Sequence, residues 1–138
     1  MSLPTNLLEA LSPKNRIFVA FSGGLDSTAL LFLCKNALKQ KKISNLKAIH
    51  INHSLSENSD SWQQHCESFC RSHNIDFESF NVEVSKNRSS IESQARQARF
   101  KIFKSLLDDN DQILLAHHRN DVFETVLLRL FRGTGVDG

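Results

Sequence analysis

The residues best placed to do chemistry are Ser22-Gly23-Gly24-Leu25-Asp26-Ser27, between the apolar run Ile17-Phe18-Val19-Ala20-Phe21 and a second apolar stretch that opens with Thr28-Ala29-Leu30-Leu31. A strand, a glycine turn and a helix start in that order make a cradle for phosphate. Glycine has no Cβ, so the backbone turns sharply and approaches an anion closely, while the free N–H groups and partial positive charge of the first helical turn point at it. Ser22, Ser27 and Thr28 add hydroxyl donors. No lysine stands where a G-x-x-x-x-G-K-[ST] loop would place one among the phosphates. Charge neutralisation therefore falls to the helix end, the hydroxyls and a metal, with Asp26 on the metal side. Asp and Ser are also ordinary helix-start residues that satisfy orphan donors. Two serines and an aspartate framing a glycine pair favour the anion site.

Two further groups of polar residues carry chemistry. His117-x-x-x-Asp121-x-x-Glu124 places an imidazole and two carboxylates along one helical stripe, a donor set suited to magnesium, which takes oxygen ligands and bridges phosphates. A solvated helix face is the alternative. Arg96 and Arg99 are permanent cations with paired donors that match phosphate oxygens, and the pattern does not choose between them. His50 and His53 bracket the end of an apolar run, where a satisfied structural histidine competes with a nucleotide contact.

These residues need a scaffold that brings them together. The spacing predicts strands over Ile17–Phe21, Leu46–Asn52, within Ile75–Val84 at a sheet edge, and over Gln112–Ala116. It predicts helices from about Asp26 to Lys39, after Ser59 with Trp62, Cys66, Phe69 and Cys70 inward, from the capping box Ser89-Ser90-Ile91-Glu92, and from Asp121 to Phe131. Strand and helix alternate with short links, so the fold class is α/β, a parallel sheet with helices on both faces. Ligands then gather at the carboxyl ends of the strands. Ser22, Asn52, His53, His117 and His118 all follow a strand and should line one crevice. Residues 1–15 form a lead-in without a motif, and 16–138 form one domain.

At 138 residues with 40% hydrophobic content, the chain can bury a real core. No apolar run approaches membrane-spanning length and the start lacks a basic signal-peptide region, so a cytoplasmic location is expected. Cys34, Cys66 and Cys70 read as reduced core thiols. A net charge of +2 does not announce nucleic acid by itself. Lys86, Arg88, Arg96, Arg99, Lys101 and Lys104 cluster in one segment that could follow a phosphate backbone, with a solvated helix face as the alternative for Lys101 and Lys104.

Ser22-Gly23-Gly24-Leu25-Asp26-Ser27 resembles the S-G-G-x-D-S signature of the PP-loop ATP pyrophosphatases, which cleave ATP between its α and β phosphates and pass AMP to a substrate oxygen. His50-Ile51-Asn52-His53-Ser54-Leu55-Ser56, Ile91–Phe100, Ala116–Thr125 and Arg132-Gly133-Thr134-Gly135 resemble, in order and spacing, the bacterial tRNA(Ile)-lysidine synthases. That resemblance implies an adenine-nucleotide α-hydrolase-like, Rossmann-like fold using ATP and Mg2+. The implied reaction joins free L-lysine to C2 of the wobble cytidine of tRNA(Ile) with a CAU anticodon, through an adenylated base. The chain then looks like the amino-terminal catalytic portion of a longer ligase whose further domains grip the tRNA, and this portion alone could lack turnover.

By the same resemblance Ser22, Gly23, Gly24, Leu25, Asp26, Ser27, His53 and His117 bind ATP, and Asp26, Asp121 and Glu124 hold the metal. Asp26, Arg96, Arg99, Asp121 and Glu124 form the catalytic set. Asn120 stands where the family often has a second acid, which leaves Asp121 as the ligand there. Oligomeric state stays open, a homodimer included. Two other readings keep some of these features: a PP-loop tRNA thiolase, which would usually carry a C-x-x-C cluster absent here, and a nucleotide-binding module without catalysis.

Overall fold

The computed structural model describes residues 3–11, 16–54, 57–84, 91–118 and 126–132. A short helix α1 (Thr5–Ala10) precedes strand β1 (Ile17–Ala20), helix α2 (Leu25–Lys39) and strand β2 (Lys47–Asn52). Helix α3 (Ser59–Ser72), strand β3 (Asp76–Asn81), helix α4 (Ile91–Leu106) and strands β4 (Gln112–His118) and β5 (Val126–Arg132) follow. The sheet runs β3-β2-β1-β4-β5, with the first four strands parallel and β5 antiparallel to β4. Order reverses at β1, whose Val19 lies opposite Ala48 on one side and Leu114 on the other.

Successive strand residues point to opposite faces, and two separate cores result. Ile17, Val19, Ala48 and Leu114 face α2 and α3, where Leu30, Leu31, Cys34, Cys66 and Cys70 close over them. Phe18, Ile49, Ile113 and Leu115 face α4 and its fully buried Phe103. The sheet is covered on both faces, as the alternating pattern predicts.

Both α2 and α3 stop in the same way. Lys41 and Asn74 take left-handed backbone at φ 60° and 55°. Lys42 N–H then donates to Ala37 O and Ile75 N–H to Cys70 O, each at 2.9 Å, capping carbonyls that the helix leaves bare. Buried Ile75 sits against the α3 core, so the turn into β3 is fixed by packing as well as hydrogen bonds.

Two sequence expectations change. Val126 to Phe131, expected within a helix from Asp121 to Phe131, lie in strand β5 (Val126–Arg132), paired so that Leu130 lies opposite Leu114. A short apolar run fits either period, and the open edge of β4 supplies a ladder of backbone partners that a helix there would forgo. His117 lies inside β4, not on a helix, so it does not open a helical stripe; residues 121–125, with Asp121 and Glu124, are outside the described residues. Leu3 and Leu11, in the motif-free lead-in, are buried in the α2 and α3 core.

Candidate active site

The carboxyl ends of β1, β2 and β4 open onto a cavity of about 340 Å³ whose lining includes Ser22, Ser27, Asn52, His53, Trp62 and Arg99. The loop after β1 is built on its own hydroxyls. Ser27, buried, accepts from the Ser22 N–H at 3.1 Å and is hydrogen-bonded hydroxyl to hydroxyl with Ser22 at 2.9 Å, while the Gly24 N–H donates to Ser22 Oγ at 3.3 Å. Thr28 Oγ1 donates to Gly24 O at 2.7 Å. These bonds draw the start of α2 against the end of β1. Gly24 caps α2 without a side-chain partner and Asp26 stands in the first turn. Fifteen residues of α2 aim their partial positive end at this loop.

Gly23 has φ +86°, a conformation that side chains disfavour. A Cβ there would stand 2.7 Å from Cys66 Sγ and 3.0 Å from the Trp62 ring. Only glycine fits under α3. Trp62 Nε1 also donates to Ser22 O at 2.6 Å. The sequence reading put Trp62 in the core, yet its surface is 46% exposed, and it binds the loop. A tryptophan among Ser61, Gln63 and Gln64 was the available signal, because a half-wet indole still looks for an acceptor.

The end of β2 is tied to the start of α3. Asn52, almost fully buried, donates through Nδ2 to Asp60 Oδ1 at 3.0 Å and Gln63 Oε1 at 2.8 Å, and its Oδ1 accepts from the Ser54 N–H at 2.9 Å. Buried His50 donates from Nδ1 to Phe21 O at 2.9 Å, which makes it a structural link between β2 and the loop.

His53 and Arg99 differ from these satisfied groups. His53 Nδ1 and Arg99 Nε are buried and have no hydrogen-bond partner. Burial, then the charges of Arg99 and His50, hold the His53 imidazole below its ordinary pKa, so it is neutral at neutral pH. Burial, then the neighbouring Arg96, lowers the affinity of the Arg99 guanidinium for its proton as well. An arginine stays charged even so. A buried cationic donor without an acceptor is costly, and an anion entering the cavity would relieve it.

The predicted residues thus fall into three groups. Ser22, Ser27, His53 and Arg99 line one cavity, with Gly23, Gly24, Leu25 and Asp26 in the adjoining turn, where Leu25 is 85% exposed. Arg96 lies on the exposed side of α4 with its guanidinium 5.4 Å above the Phe100 ring. His117 follows the cavity-lining Ala116 in β4, while Asp121, Glu124, Lys86 and Arg88 are outside the described residues. Among the described residues no three His, Cys, Asp or Glu side chains gather as a metal site. Cys34, Cys66 and Cys70 are buried free thiols, and burial pushes them up to about 12, 11 and 12 respectively, as inert core groups require. No helix among the described residues is long and apolar enough to cross a membrane.

A parallel sheet that reverses order at β1, with a glycine and serine loop leading from that strand into a helix, defines a nucleotide-binding α/β domain. The PP-loop domain family matches residues 3–138, and the chain belongs to it. It is similar to the tRNA(Ile)-lysidine synthase of Legionella pneumophila strain Lens, 48% identical across 93% of this chain and 29% of the relative. The Pseudomonas syringae pv. tomato enzyme of the same name is 43% identical across 99% of this chain and 31% of its own length, and that of Histophilus somni strain 2336 is 41% identical across 96% and 31%. The chain thus spans about three tenths of these relatives. Among solved structures, the U34-tRNA thiolase NcsA from Methanococcus maripaludis with its [4Fe-4S] cluster shares the fold at TM-score 0.58 and 20% identity, over 76% of this chain and 40% of that one.

Proposed function

We propose that this chain is the ATP-using part of a tRNA(Ile)-lysidine synthase. In the reaction, the C2 oxygen of the wobble cytidine of tRNA(Ile) with a CAU anticodon attacks the α phosphorus of ATP and releases pyrophosphate. The side-chain amine of free L-lysine then attacks C2 and expels AMP. The observation that supports this most is the buried, unpartnered Arg99 Nε on the same cavity as the Ser22 and Ser27 loop.

Each group has work that suits its surroundings. The α2 terminus and the loop donors bind the phosphates leaving as pyrophosphate. Arg99, rather than the exposed Arg96, supplies a fixed positive charge where negative charge grows at the α phosphorus, and needs little rearrangement to do so. Neutral His53 offers a hydrogen bond to the nucleotide without adding a cation beside Arg99. Asp26, with Asp121 and Glu124, would hold Mg2+, an ion that bridges phosphate oxygens and screens their charge. Holding base and phosphate in line supplies much of the acceleration. A cytoplasmic enzyme is consistent with this chemistry.

The thiolase reading is weaker here because Cys66 and Cys70 are committed to the α3 core. Full-length enzyme incubated with ATP, Mg2+, labelled lysine and tRNA(Ile) bearing CAU should incorporate lysine with one AMP released per lysine. AMP release that depends on a sulfur donor, or ATP retained without product, would overturn the proposal.

A further inference from the structure

We infer that Trp62 is a positioning residue that holds the Ser22–Gly23 peptide in its anion-binding orientation. The inference rests on the proposed reading of the loop as a triphosphate site. Trp62 Nε1 donates to Ser22 O at 2.6 Å, and every described peptide bond is trans. In a trans peptide the C=O and the following N–H point in opposite directions. With the Ser22 oxygen held against α3, the Gly23 N–H is directed away from it, and the loop offers a donor to a phosphate.

The alternative orientation is close at hand. A φ of +86° at Gly23 matches the third residue of a type II turn, in which the central peptide is turned over relative to type I. Glycine adopts either sign of φ at little cost, so nothing in Gly23 itself forbids the flip. After a flip the Ser22 carbonyl would present partial negative charge where the N–H now stands. The indole hydrogen bond from α3 opposes it, and α3 leaves little free space at this residue, since a Cβ added to Gly23 would stand 3.0 Å from the Trp62 ring and 2.7 Å from Cys66 Sγ. The Asn52 bonds to Asp60 and Gln63 anchor this end of α3 to β2, so the indole is carried on a fixed support.

Trp62 is the single tryptophan of the chain, and this permits a clean test. Replacing it with β-(3-benzothienyl)alanine keeps the bicyclic ring and removes only the N–H; Trp62→Phe does the same with a smaller ring. ATP–Mg2+ affinity of the chain is measured by calorimetry, and kcat and KM for ATP in the full-length enzyme. A ligand that binds only the competent loop restores it at saturation. Both variants should therefore weaken ATP binding roughly 3- to 10-fold, the range of one hydrogen bond, and raise KM alike, with kcat kept within about twofold. ATP–Mg2+ should also shift the emission of Trp62 in the unmodified chain. Unchanged ATP affinity in the benzothienyl variant, or a fall in kcat at unchanged KM, overturns the inference. Absence of lysine transfer in the unmodified full-length enzyme, with ATP bound normally and both variants weakened as expected, would instead overturn the proposed reaction and leave the loop mechanism standing.

Discussion

Cys66 Sγ lies 2.7 Å from the point where a Cβ on Gly23 would stand, so the α3 core and the Ser22–Ser27 loop meet in a contact with no room for one more carbon. Gly23→Ala faces both that clash and a φ of +86°. It should lower stability by about 1–3 kcal/mol and weaken ATP binding at least 10-fold. Adding Cys66→Ala should recover part of the stability and less of the binding, because the backbone strain remains. Thermal melts and calorimetry on the two variants check both statements.

Arg99 and Arg96 should separate cleanly. Loss of a preorganised charge in a buried site costs on the order of 100-fold in rate, and Arg99→Met should show it as a fall in kcat/KM for ATP. The same variant removes an unpartnered buried donor and should leave the ATP-free chain as stable or more stable by roughly 1 kcal/mol. Arg96→Met, at an exposed position, should change kcat/KM by less than about fivefold. Steady-state kinetics and denaturant melts give the comparison.

ATP binding should take up protons in mildly acidic buffer. Burial, Arg99 and His50 depress the His53 pKa in the free chain, and a polyanion beside the ring would raise it again. Between the depressed value and the ordinary one near 6.5, the complex holds a proton that the free chain lacks. Calorimetry at pH 6 in two buffers of different ionisation enthalpy should reveal net uptake, and His53→Asn should abolish it. Equal apparent enthalpies in the unmodified chain would contradict the expectation.

At the opposite end of the sheet, Asp111 governs acid stability. Burial alone would raise its pKa, but the hydrogen bond from Arg16 Nε at 3.0 Å and that from the Asp108 N–H at 2.9 Å outweigh burial and lower it. A carboxylate depressed in this way stabilises the fold above its unfolded value near 3.9, and that contribution is lost as pH falls through the folded value. Asp111→Asn should therefore lower stability at pH 7 by about 1 kcal/mol and flatten the decline below pH 4. Urea melts between pH 3 and 7 measure the slope.

Much of this architecture was legible because local signals agreed with one another. The helix expected from about Asp26 to Lys39 spans Leu25–Lys39, and the edge strand sought within Ile75–Val84 spans Asp76–Asn81. Their hydrophobic periods and flanking turns point the same way. Val126–Arg132 escaped because its partner, β4, is the piece of information a short apolar run lacks. The choice between Arg96 and Arg99 escaped for a related reason: which face of α4 meets the sheet depends on Phe103, and the polar spacing alone is symmetric. Trp62 shared the helical stripe of Cys66 and Cys70, and only the path of the loop after β1 reveals its acceptor.

The sheet is fastened at one end. The Gln112 N–H donates to Arg16 O at 3.0 Å and its side chain to Ala10 O at 2.8 Å, the Ile17 N–H donates to Asn45 Oδ1 at 2.9 Å, and Arg16 grips Asp108 and Asp111. Opening that admits a guest should then favour the opposite rim, like a purse sewn shut along its base. Amide hydrogens at Ile17 and Gln112 would then exchange with solvent only when the whole domain comes apart, while those of the serine turn trade on a far quicker clock.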